Sequence, residues 1–246
     1  MRTFGLIGYP LTHSFSKQYF TDKFKNEGID AQYLNFELED IINFPTILQN
    51  QDVEGFNVTI PHKEDIFQYL HEVDEEAQKI GAVNTIKVIE GQWEPRLIGY
   101  NTDAFGFQQM LKPFLKSHHQ TALILGTGGA SKAVKYVLDK YGIHTRFVSR
   151  NPSSENDLSW KHINKQVIDQ HQLIVNTTPL GMYPNLEDHP NLPYFAMGDQ
   201  HLLVDLIYNP EETAFMRHGR SNGATALNGL TMLHQQAEKA WEIWNG

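Results

Sequence analysis

The sequence predicts an α/β protein of two domains, and two observations support this prediction. Short apolar runs alternate along the chain with segments in which apolar side chains recur every three or four positions. This pattern is typical of strand–helix–strand units that build a parallel sheet. The units form two series, and the second begins after Asp103 with a glycine-rich turn. We therefore predict a first domain over residues 1–103 and a second over residues 104–228.

The predicted strands are short, mostly apolar runs. They cover residues 4–7, 33–36, 55–59, 85–88, 97–100, 122–125, 145–149, 173–176 and 202–206. One predicted helix follows Gly128, because Val134, Val137, Leu138 and Tyr141 fall on one helical face. Gly142 is a suitable residue to end that helix.

The apolar pattern of residues 229–246 predicts a second helix. Its apolar residues form one stripe at helical spacing, namely Met232, Leu233, Ala237, Ala240, Trp241 and Trp244. Gln236 lies within that stripe, one turn after Met232. Periodicity alone leaves open which domain this helix packs against.

Composition and charge exclude several classes of protein. Hydrophobic residues make up 40% and charged residues 20% of the chain, which is ordinary for a globular protein. The absence of cysteine excludes disulfides and thiolate catalysis, and it agrees with a cytoplasmic location. The net charge of −9 argues against a nucleic-acid partner. No window approaches the roughly 18 apolar residues of a membrane span, and we expect no metal because the zinc-ligand pattern is missing.

A glycine-rich turn lies between predicted strand 122–125 and the helix that follows. Gly126, Gly128 and Gly129 would let the backbone approach a pyrophosphate, which the free N–H groups of the helix then bind. Ser131 stands where glycine or alanine is usual in the dinucleotide-binding pattern. The turn predicts a Rossmann-like nucleotide-binding domain. The alternative is a structural turn without a ligand.

The next predicted strand ends at Ser149 and Arg150. NAD enzymes usually carry an acidic residue about 20 residues after the glycines, where it holds the ribose hydroxyl. Here the first acidic residue is Glu155, and an arginine suits a 2′-phosphate. The charge at this position therefore favours NADP. The alternative is a solvated surface arginine.

Ser14 and Ser16 lie close together after the first predicted strand. Two hydroxyls at this spacing could converge on one carboxylate. The alternative is that Ser16 only caps the helix that contains Phe20 and Phe24.

Lys63 and Asp103 are candidates for proton transfer. Pro61 is a suitable first residue of a helix, which would put Lys63 in a first turn where the helix dipole disfavours its positive charge. Asp103 follows a predicted strand. In a ketone reduction the lysine would donate a proton to the oxygen and the aspartate would orient the reacting hydroxyl. The alternatives are an ordinary surface lysine and a helix-capping aspartate.

Asn84 is a third candidate at a strand end. Its amide both donates and accepts hydrogen bonds, which suits a substrate hydroxyl. The alternative is a turn asparagine.

Taken together, these blocks resemble the shikimate dehydrogenase family nearly from end to end. The resemblance rests on the order and spacing of residues 8–16, 57–64, 81–85, 101–103, 126–131, 176–182, 205–210 and 229–233. It implies an N-terminal substrate domain, a C-terminal Rossmann-like NADP-binding domain and a cleft between them. It also implies that helix 229–246 packs back on the first domain. The implied reaction is the NADP-dependent reduction of 3-dehydroshikimate to shikimate, on the route to chorismate and the aromatic amino acids.

The resemblance also implies roles for individual residues. Lys63 and Asp103 would be the catalytic pair. The substrate contacts would be Ser14, Ser16 and Tyr208 for the carboxylate and Thr59, Asn84 and Gln236 for the ring hydroxyls. The cofactor contacts would be Gly126, Gly128, Gly129, Ala130, Ser149, Arg150, Thr177, Gly229 and Met232. For Gln236 the alternative is a buried amide bonded to the backbone.

The chain departs from the family's usual residues at four places. His62 stands where phenylalanine is common, Asn228 stands where aspartate is common, and Thr231 stands where glycine is usual. In addition, no second basic side chain follows closely after Arg150. Two alternative functions stay open: a quinate and shikimate dehydrogenase with relaxed use of NAD and NADP, and a non-catalytic NADP-binding sensor. A folate-linked dehydrogenase is a more distant one. We expect a monomer or a homodimer whose partner is the small-molecule substrate.

Overall fold

The computed structural model describes residues 1–12, 14–92 and 94–246. It divides into two compact units. Unit 1 comprises Met1–Thr102 and Ala237–Gly246, and unit 2 comprises Asp103–Gln236. Each unit contains one six-stranded sheet, so the predicted α/β class is confirmed. The predicted domain boundary follows Asp103, whereas the two units separate just before that residue.

Unit 1 is built on a sheet with the strand order β2-β1-β3-β5-β6-β4. Its strands are β1 (Arg2–Gly8), β2 (Ala31–Glu37), β3 (Gly55–Val58), β4 (Glu72–Val73), β5 (Thr85–Ile89) and β6 (Arg96–Tyr100). Its helices are α1 (Phe15–Glu27), α2 (Phe44–Asn50), α3 (Glu75–Ile80) and the last part of α8 (Leu230–Asn245).

The sheet of unit 1 is mixed, so the prediction of a parallel sheet is wrong here. Strand β1 pairs in parallel with β2 and β3, but β5 is antiparallel to both β3 and β6. Residues 90–95 join β5 to β6. A connection of this length is too short for a crossover helix, and it therefore makes a hairpin.

The core of unit 1 lies on both faces of its sheet. Phe4 and Leu6 pack on one face with α1 and the end of α8, and Ile7 packs on the other face, as the two-residue period of a strand requires. The indole of Trp244 donates a hydrogen bond to the carbonyl oxygen of Ile86 at 3.0 Å. It lies over Gly55, where a Cβ would come within 2.3 Å of the indole nitrogen. The end of α8 is therefore fitted closely to this sheet.

Unit 2 is built on a sheet with the order β12-β11-β10-β7-β8-β9, in which every pair is parallel. Its strands are β7 (Thr121–Leu125), β8 (His144–Ser149), β9 (Leu158–Ser159), β10 (Leu173–Asn176), β11 (Leu202–Asp205) and β12 (Thr225–Leu227). Its helices are α4 (Thr102–Leu111), α5 (Gly129–Lys140), α6 (Lys165–Gln170), α7 (Ala214–Ser221) and the first part of α8. This is the strand order of doubly wound dinucleotide-binding sheets, and the order reverses between β7 and β10.

Helix α5 follows the predicted pattern. Val134, Val137 and Leu138 are buried. Gly142, with φ of +69°, takes the left-handed conformation just after the helix end, which glycine adopts without strain. Among the described residues, the helices are all too short or too polar to cross a membrane.

Candidate active site

The glycine turn joins β7 to α5 at the point where the strand order of unit 2 reverses. Gly126 has φ of +101°, and a Cβ there would lie 3.0 Å from the Oγ1 of Thr177. Gly128 is the N-cap of α5 and provides no side-chain hydrogen bond to the helix. A Cβ on Gly128 would have no neighbour within 4 Å. The start of α5 therefore has no side-chain cap and has open space beside Gly128, as an anion site at a helix N-terminus requires.

Ser131 fits the position where the dinucleotide pattern usually has glycine or alanine. The residue is buried, and its hydroxyl donates to the carbonyl oxygen of Gly128 at 2.6 Å. Because the hydroxyl is bonded within the first turn, the serine adds no unsatisfied polar group.

Thr177 begins the loop after β10, the other strand at the reversal of strand order. Its hydroxyl and its N–H both donate to the carbonyl oxygen of Leu125, at 2.7 and 3.0 Å. The glycine turn begins at Gly126, the residue after Leu125, so these bonds hold Thr177 directly against that turn.

Ser149 ends β8 and Arg150 follows it at the same edge of the sheet, since the N–H of Gly126 donates to the carbonyl oxygen of Val148 at 2.9 Å. Ser149 is buried, and its Oγ has no hydrogen-bond partner among the described residues. Arg150 is exposed. A buried hydroxyl without a partner beside an exposed guanidinium fits a phosphate group, which would accept from both.

The N-cap of α1 is Ser14. The alternative interpretation, in which Ser16 caps this helix, is wrong. The Oγ of Ser14 accepts a hydrogen bond from the N–H of Lys17 at 3.1 Å, and the backbone of Ser14 is extended. Ser16 lies inside the first turn, so its hydroxyl is not needed as a cap. The neighbouring His13 lies outside the described residues.

Tyr33 and Asn57 form a buried polar pair on the sheet of unit 1. The Tyr33 hydroxyl donates to Oδ1 of Asn57 at 2.7 Å, and Nδ2 of Asn57 donates to the Thr85 hydroxyl at 3.2 Å. Burial raises the pKa of Tyr33 well above its ordinary value, and an interaction with the Ser16 hydroxyl opposes that shift. The sequence analysis did not predict that Tyr33 and Asn57 form a buried hydrogen-bonded pair. The signal was a polar residue within the apolar run of β3.

Asn84 holds the start of α4. Its Oδ1 accepts from the N–H of Thr102 at 2.7 Å and from the hydroxyls of Thr85 and Thr102, both at 3.2 Å. Its Nδ2 donates to the Thr102 hydroxyl at 3.0 Å. This buried amide therefore does more than terminate a turn, because it fixes Thr102, the last residue of the first segment of unit 1.

Asp103 lies in the first turn of α4 and is only 6% exposed. The alternative interpretation of Asp103 as the helix cap is wrong, because α4 already begins at Thr102, whose N–H is bonded to Asn84. A buried carboxylate at a helix N-terminus is stabilised by the helix dipole.

Lys63 is half-buried in a turn that follows β3. The expected helix after Pro61 is absent: residues 60–64 form turns, and a short 3-10 helix covers Asp65–Tyr69. The carbonyl oxygen of Lys63 accepts from the N–H of Val83 at 2.8 Å, so it is not part of an α-helical ladder. The predicted dipole effect on Lys63 therefore does not apply.

Thr59 and His62 lie in the same segment as Lys63. The N–H of Thr59 donates to the carbonyl oxygen of Ile7 at 2.8 Å, and a Cβ on Gly8 would lie 2.4 Å from the Thr59 methyl group. His62 is buried, and its Nε2 lies 2.6 Å from the carbonyl oxygen of Leu38. The segment is therefore attached to the strand ends on either side of it.

Gly229 lies at the start of α8 in unit 2. Its N–H donates to the carbonyl oxygen of Ile207 at 2.9 Å, and a Cβ would come within 2.1 Å of the Leu206 carbonyl oxygen. Only glycine fits this approach. Tyr208 follows directly after Ile207, and burial raises the pKa of its hydroxyl.

Met232 and Gln236 lie one turn apart on α8, and both are buried. Gly106 of α4 packs against them, since its Cβ would lie 2.4 Å from the Met232 carbonyl oxygen. Nε2 of Gln236 donates to the carbonyl oxygen of Leu233 at 3.0 Å.

The chain matches proteins of known family along its whole length. Residues 6–86 match the family model described as the shikimate dehydrogenase substrate binding domain. The shikimate dehydrogenase (NADP(+)) of Methanosphaera stadtmanae is 36% identical over 260 residues, covering 98% of this chain and 90% of that protein. The chain belongs to the shikimate dehydrogenase family. The family resemblance predicted from the sequence is thereby confirmed.

Solved structures of the shikimate dehydrogenase family share this fold. The crystal structure of the Aquifex aeolicus shikimate dehydrogenase has a TM-score of 0.87 and 36% identity, and the match covers 100% of this chain and 93% of that one. The Thermus thermophilus shikimate 5-dehydrogenase, crystallised with NADP(H) and shikimate, has a TM-score of 0.86 and 31% identity, covering 100% and 94%.

Asn228 is one of this chain's departures from the usual shikimate dehydrogenase residues. Its Oδ1 accepts from the N–H of Leu230 at 3.2 Å, and its Nδ2 donates to the carbonyl oxygen of Glu211 at 3.0 Å. The asparagine therefore provides an acceptor at the first turn of α8, as the family's aspartate could, and its amide adds a donor to the neighbouring loop.

Proposed function

We propose that this chain is an NADP-dependent shikimate dehydrogenase that reversibly reduces 3-dehydroshikimate to shikimate, a step toward chorismate and the aromatic amino acids. The observation that carries the proposal is the glycine turn at the reversal of strand order. It leaves open space beside Gly128 at the start of α5, and its first residue is bonded to Val148, two residues before Arg150. The relatives named above, one of them crystallised with NADP(H) and shikimate, support the choice of substrate and cofactor.

NADP fits the residues of unit 2. The N–H groups of Gly129 and Ala130 would bind the pyrophosphate. Ser149 and Arg150 would bind the 2′-phosphate, and the buried Ser149 Oγ would gain the partner that it lacks within the described part of the chain. The bound cofactor supplies the hydride. The turn at Gly126 and Gly128 would let the backbone approach that pyrophosphate closely. We assign Thr177, Gly229 and Met232 to the nicotinamide end.

Ser14 and Ser16 are proposed to bind the substrate carboxylate with Tyr208. The cap of α1 uses a lone pair of the Ser14 oxygen, so the hydroxyl hydrogen remains for donation to a carboxylate. Capping and substrate binding are therefore compatible in one serine. We assign the ring hydroxyls to Thr59, Asn84 and Gln236.

Lys63 and Asp103 are proposed to carry out the proton transfer of the reaction. Reduction adds a hydride to the carbonyl carbon and a proton to its oxygen. We assign Lys63 as the donor of that proton, and Asp103 as the carboxylate that accepts a hydrogen bond from a substrate hydroxyl and so orients it. In the reverse direction the same amine accepts the proton from shikimate.

A two-by-two assay tests this function. The purified protein is mixed with shikimate or quinate and with NADP or NAD, and the appearance of the reduced nicotinamide is followed by its absorbance. We expect the highest kcat/KM with shikimate and NADP. A preference for quinate would support the relaxed paralogue, whereas NADP binding without turnover on either acid would support the sensor.

We further propose that the enzyme acts in the cytoplasm as a monomer or homodimer. The absence of cysteine agrees with a reducing compartment. Light scattering on the purified protein distinguishes the two assembly states, and a tetramer would contradict the proposal.

A further inference from the structure

Asp205 is a fully buried carboxylate at the end of β11, and the proposed mechanism does not use it. Its relative exposure is 0%. Oδ1 accepts from Nδ2 of Asn176 at 3.0 Å and from the N–H of Ile207 at 3.1 Å, and Oδ2 accepts from the Thr213 hydroxyl at 2.6 Å. One side chain thus joins the end of β10, the loop after β11 and the start of α7.

The bond to Asn176 leads toward the glycine turn. Oδ1 of Asn176 accepts from the N–H and the hydroxyl of Thr178, at 3.1 and 2.7 Å. A Cβ on Gly126 would lie 3.1 Å from the Thr178 methyl group. Asn176, Thr177 and Thr178 are therefore held between Asp205 on one side and the Gly126 turn on the other.

The charge of Asp205 strengthens the hydrogen bond that orients Asn176. Burial raises the pKa of Asp205 to about 6, although its hydrogen bonds from Thr213, Ile207 and Asn176 oppose that shift. The group is therefore ionised at neutral pH and can only accept. The Asn176 amide must turn its NH₂ group toward Asp205, which leaves its oxygen for Thr178. A neutral amide in its place would accept a weaker hydrogen bond than the carboxylate does, so it would hold Asn176 in this orientation less firmly.

We propose that Asp205 is a positioning residue for NADP binding, which acts through Asn176 on the loop that contacts the glycine turn. This inference rests on the proposed function, because that function places NADP at the turn.

The Asp205→Asn variant tests the inference, since it keeps the shape of the side chain and removes its charge. The expected result is an NADP dissociation constant about tenfold higher than that of the native protein, measured by titration well below the melting temperature. We expect the KM for shikimate to stay within twofold. An NADP dissociation constant within twofold of native would overturn the proposal.

Thr213→Val is the matched control. It removes the other side-chain hydrogen bond to the same carboxylate, and it also removes the cap of α7, where the Thr213 hydroxyl accepts from the N–H of Met216 at 3.3 Å. This variant should lower the melting temperature and leave NADP affinity within twofold. An equal loss of NADP affinity in both variants would mean that Asp205 serves general stability only, which overturns the proposal.

A double-mutant cycle tests whether Asp205 acts through Asn176. Asn176→Ala should weaken NADP binding about tenfold, and adding Asp205→Asn should cause no further loss. If the losses of NADP affinity of the two single variants multiply in the double variant, the inference is overturned. If Asp205→Asn fails to fold, Asn176→Ala alone decides: native NADP affinity in that variant refutes the proposal.

A native protein that binds NADP but fails to oxidise shikimate would refute the proposed function alone, and one that binds no NADP would refute both.

Discussion

The Oγ of Ser14 accepts a hydrogen bond from the N–H of Lys17 at 3.1 Å, and this bond begins helix α1. Ser16, two residues on, lies within the helix. The two serines that we assign to one carboxylate therefore have different structural duties. Because only Ser14 caps the helix, a comparison of variants at the two serines distinguishes an effect on helix stability from an effect on substrate binding.

Ser14→Ala should reduce both stability and substrate binding. Loss of the cap costs about 0.5–2 kcal/mol of unfolding free energy. Loss of a hydrogen bond to a charged carboxylate costs about 1.5–3 kcal/mol, or roughly tenfold or more in the KM for shikimate. Ser16→Ala should raise the KM similarly while leaving the melting temperature near native. Denaturation and shikimate kinetics on both variants check this, and unchanged kinetics in both would remove the carboxylate assignment.

Arg150→Ala should weaken NADP much more than NAD. The expected loss for NADP is about 1.5–3 kcal/mol, because one charged hydrogen-bonding contact to the 2′-phosphate disappears. Lys165→Ala is a suitable control, since Lys165 pairs with Asp169 on the surface of α6. Dissociation constants for both cofactors are the measurement. Equal losses for NADP and NAD would show that Arg150 does not contact the 2′-phosphate.

The stability of the protein should depend on the ionisation of Asp205. Its folded pKa of about 6 lies above the ordinary aspartate value of about 4. The folded state therefore binds this proton more tightly, and the contribution of Asp205 to stability should rise as pH falls from about 7 to about 4, by on the order of 3 kcal/mol. Urea denaturation of native protein and Asp205→Asn at each pH isolates this contribution. A difference between the two that stays constant across that range would contradict the prediction.

Much of the architecture was predictable because it depends on local patterns. All nine predicted strands are present. Strands β4, β9 and β12 were missed. They have two or three residues each and exist only because a neighbouring strand pairs with them.

The missed features depend on long-range contacts. The turn at Lys63 replaces the expected helix because the Lys63 carbonyl oxygen bonds to Val83, twenty residues away. The capping role of Ser14 depends on the backbone conformation of a single residue. The role of Asp205 depends on Asn176 and Thr213, which lie in separate elements. No periodicity in the sequence reports such contacts.

The most direct test of the central claim is the rate of NADPH formation from shikimate by the native protein and by Lys63→Ala. We predict clear NADP-dependent turnover by the native protein and a loss of about 100-fold or more in kcat for the variant, the usual contribution of general acid–base catalysis. The variant should keep native folding and NADP affinity, because Lys63 is half-buried in a turn of unit 1. Absence of turnover in the native protein, or near-native turnover in a well-folded Lys63→Ala variant, would contradict the account.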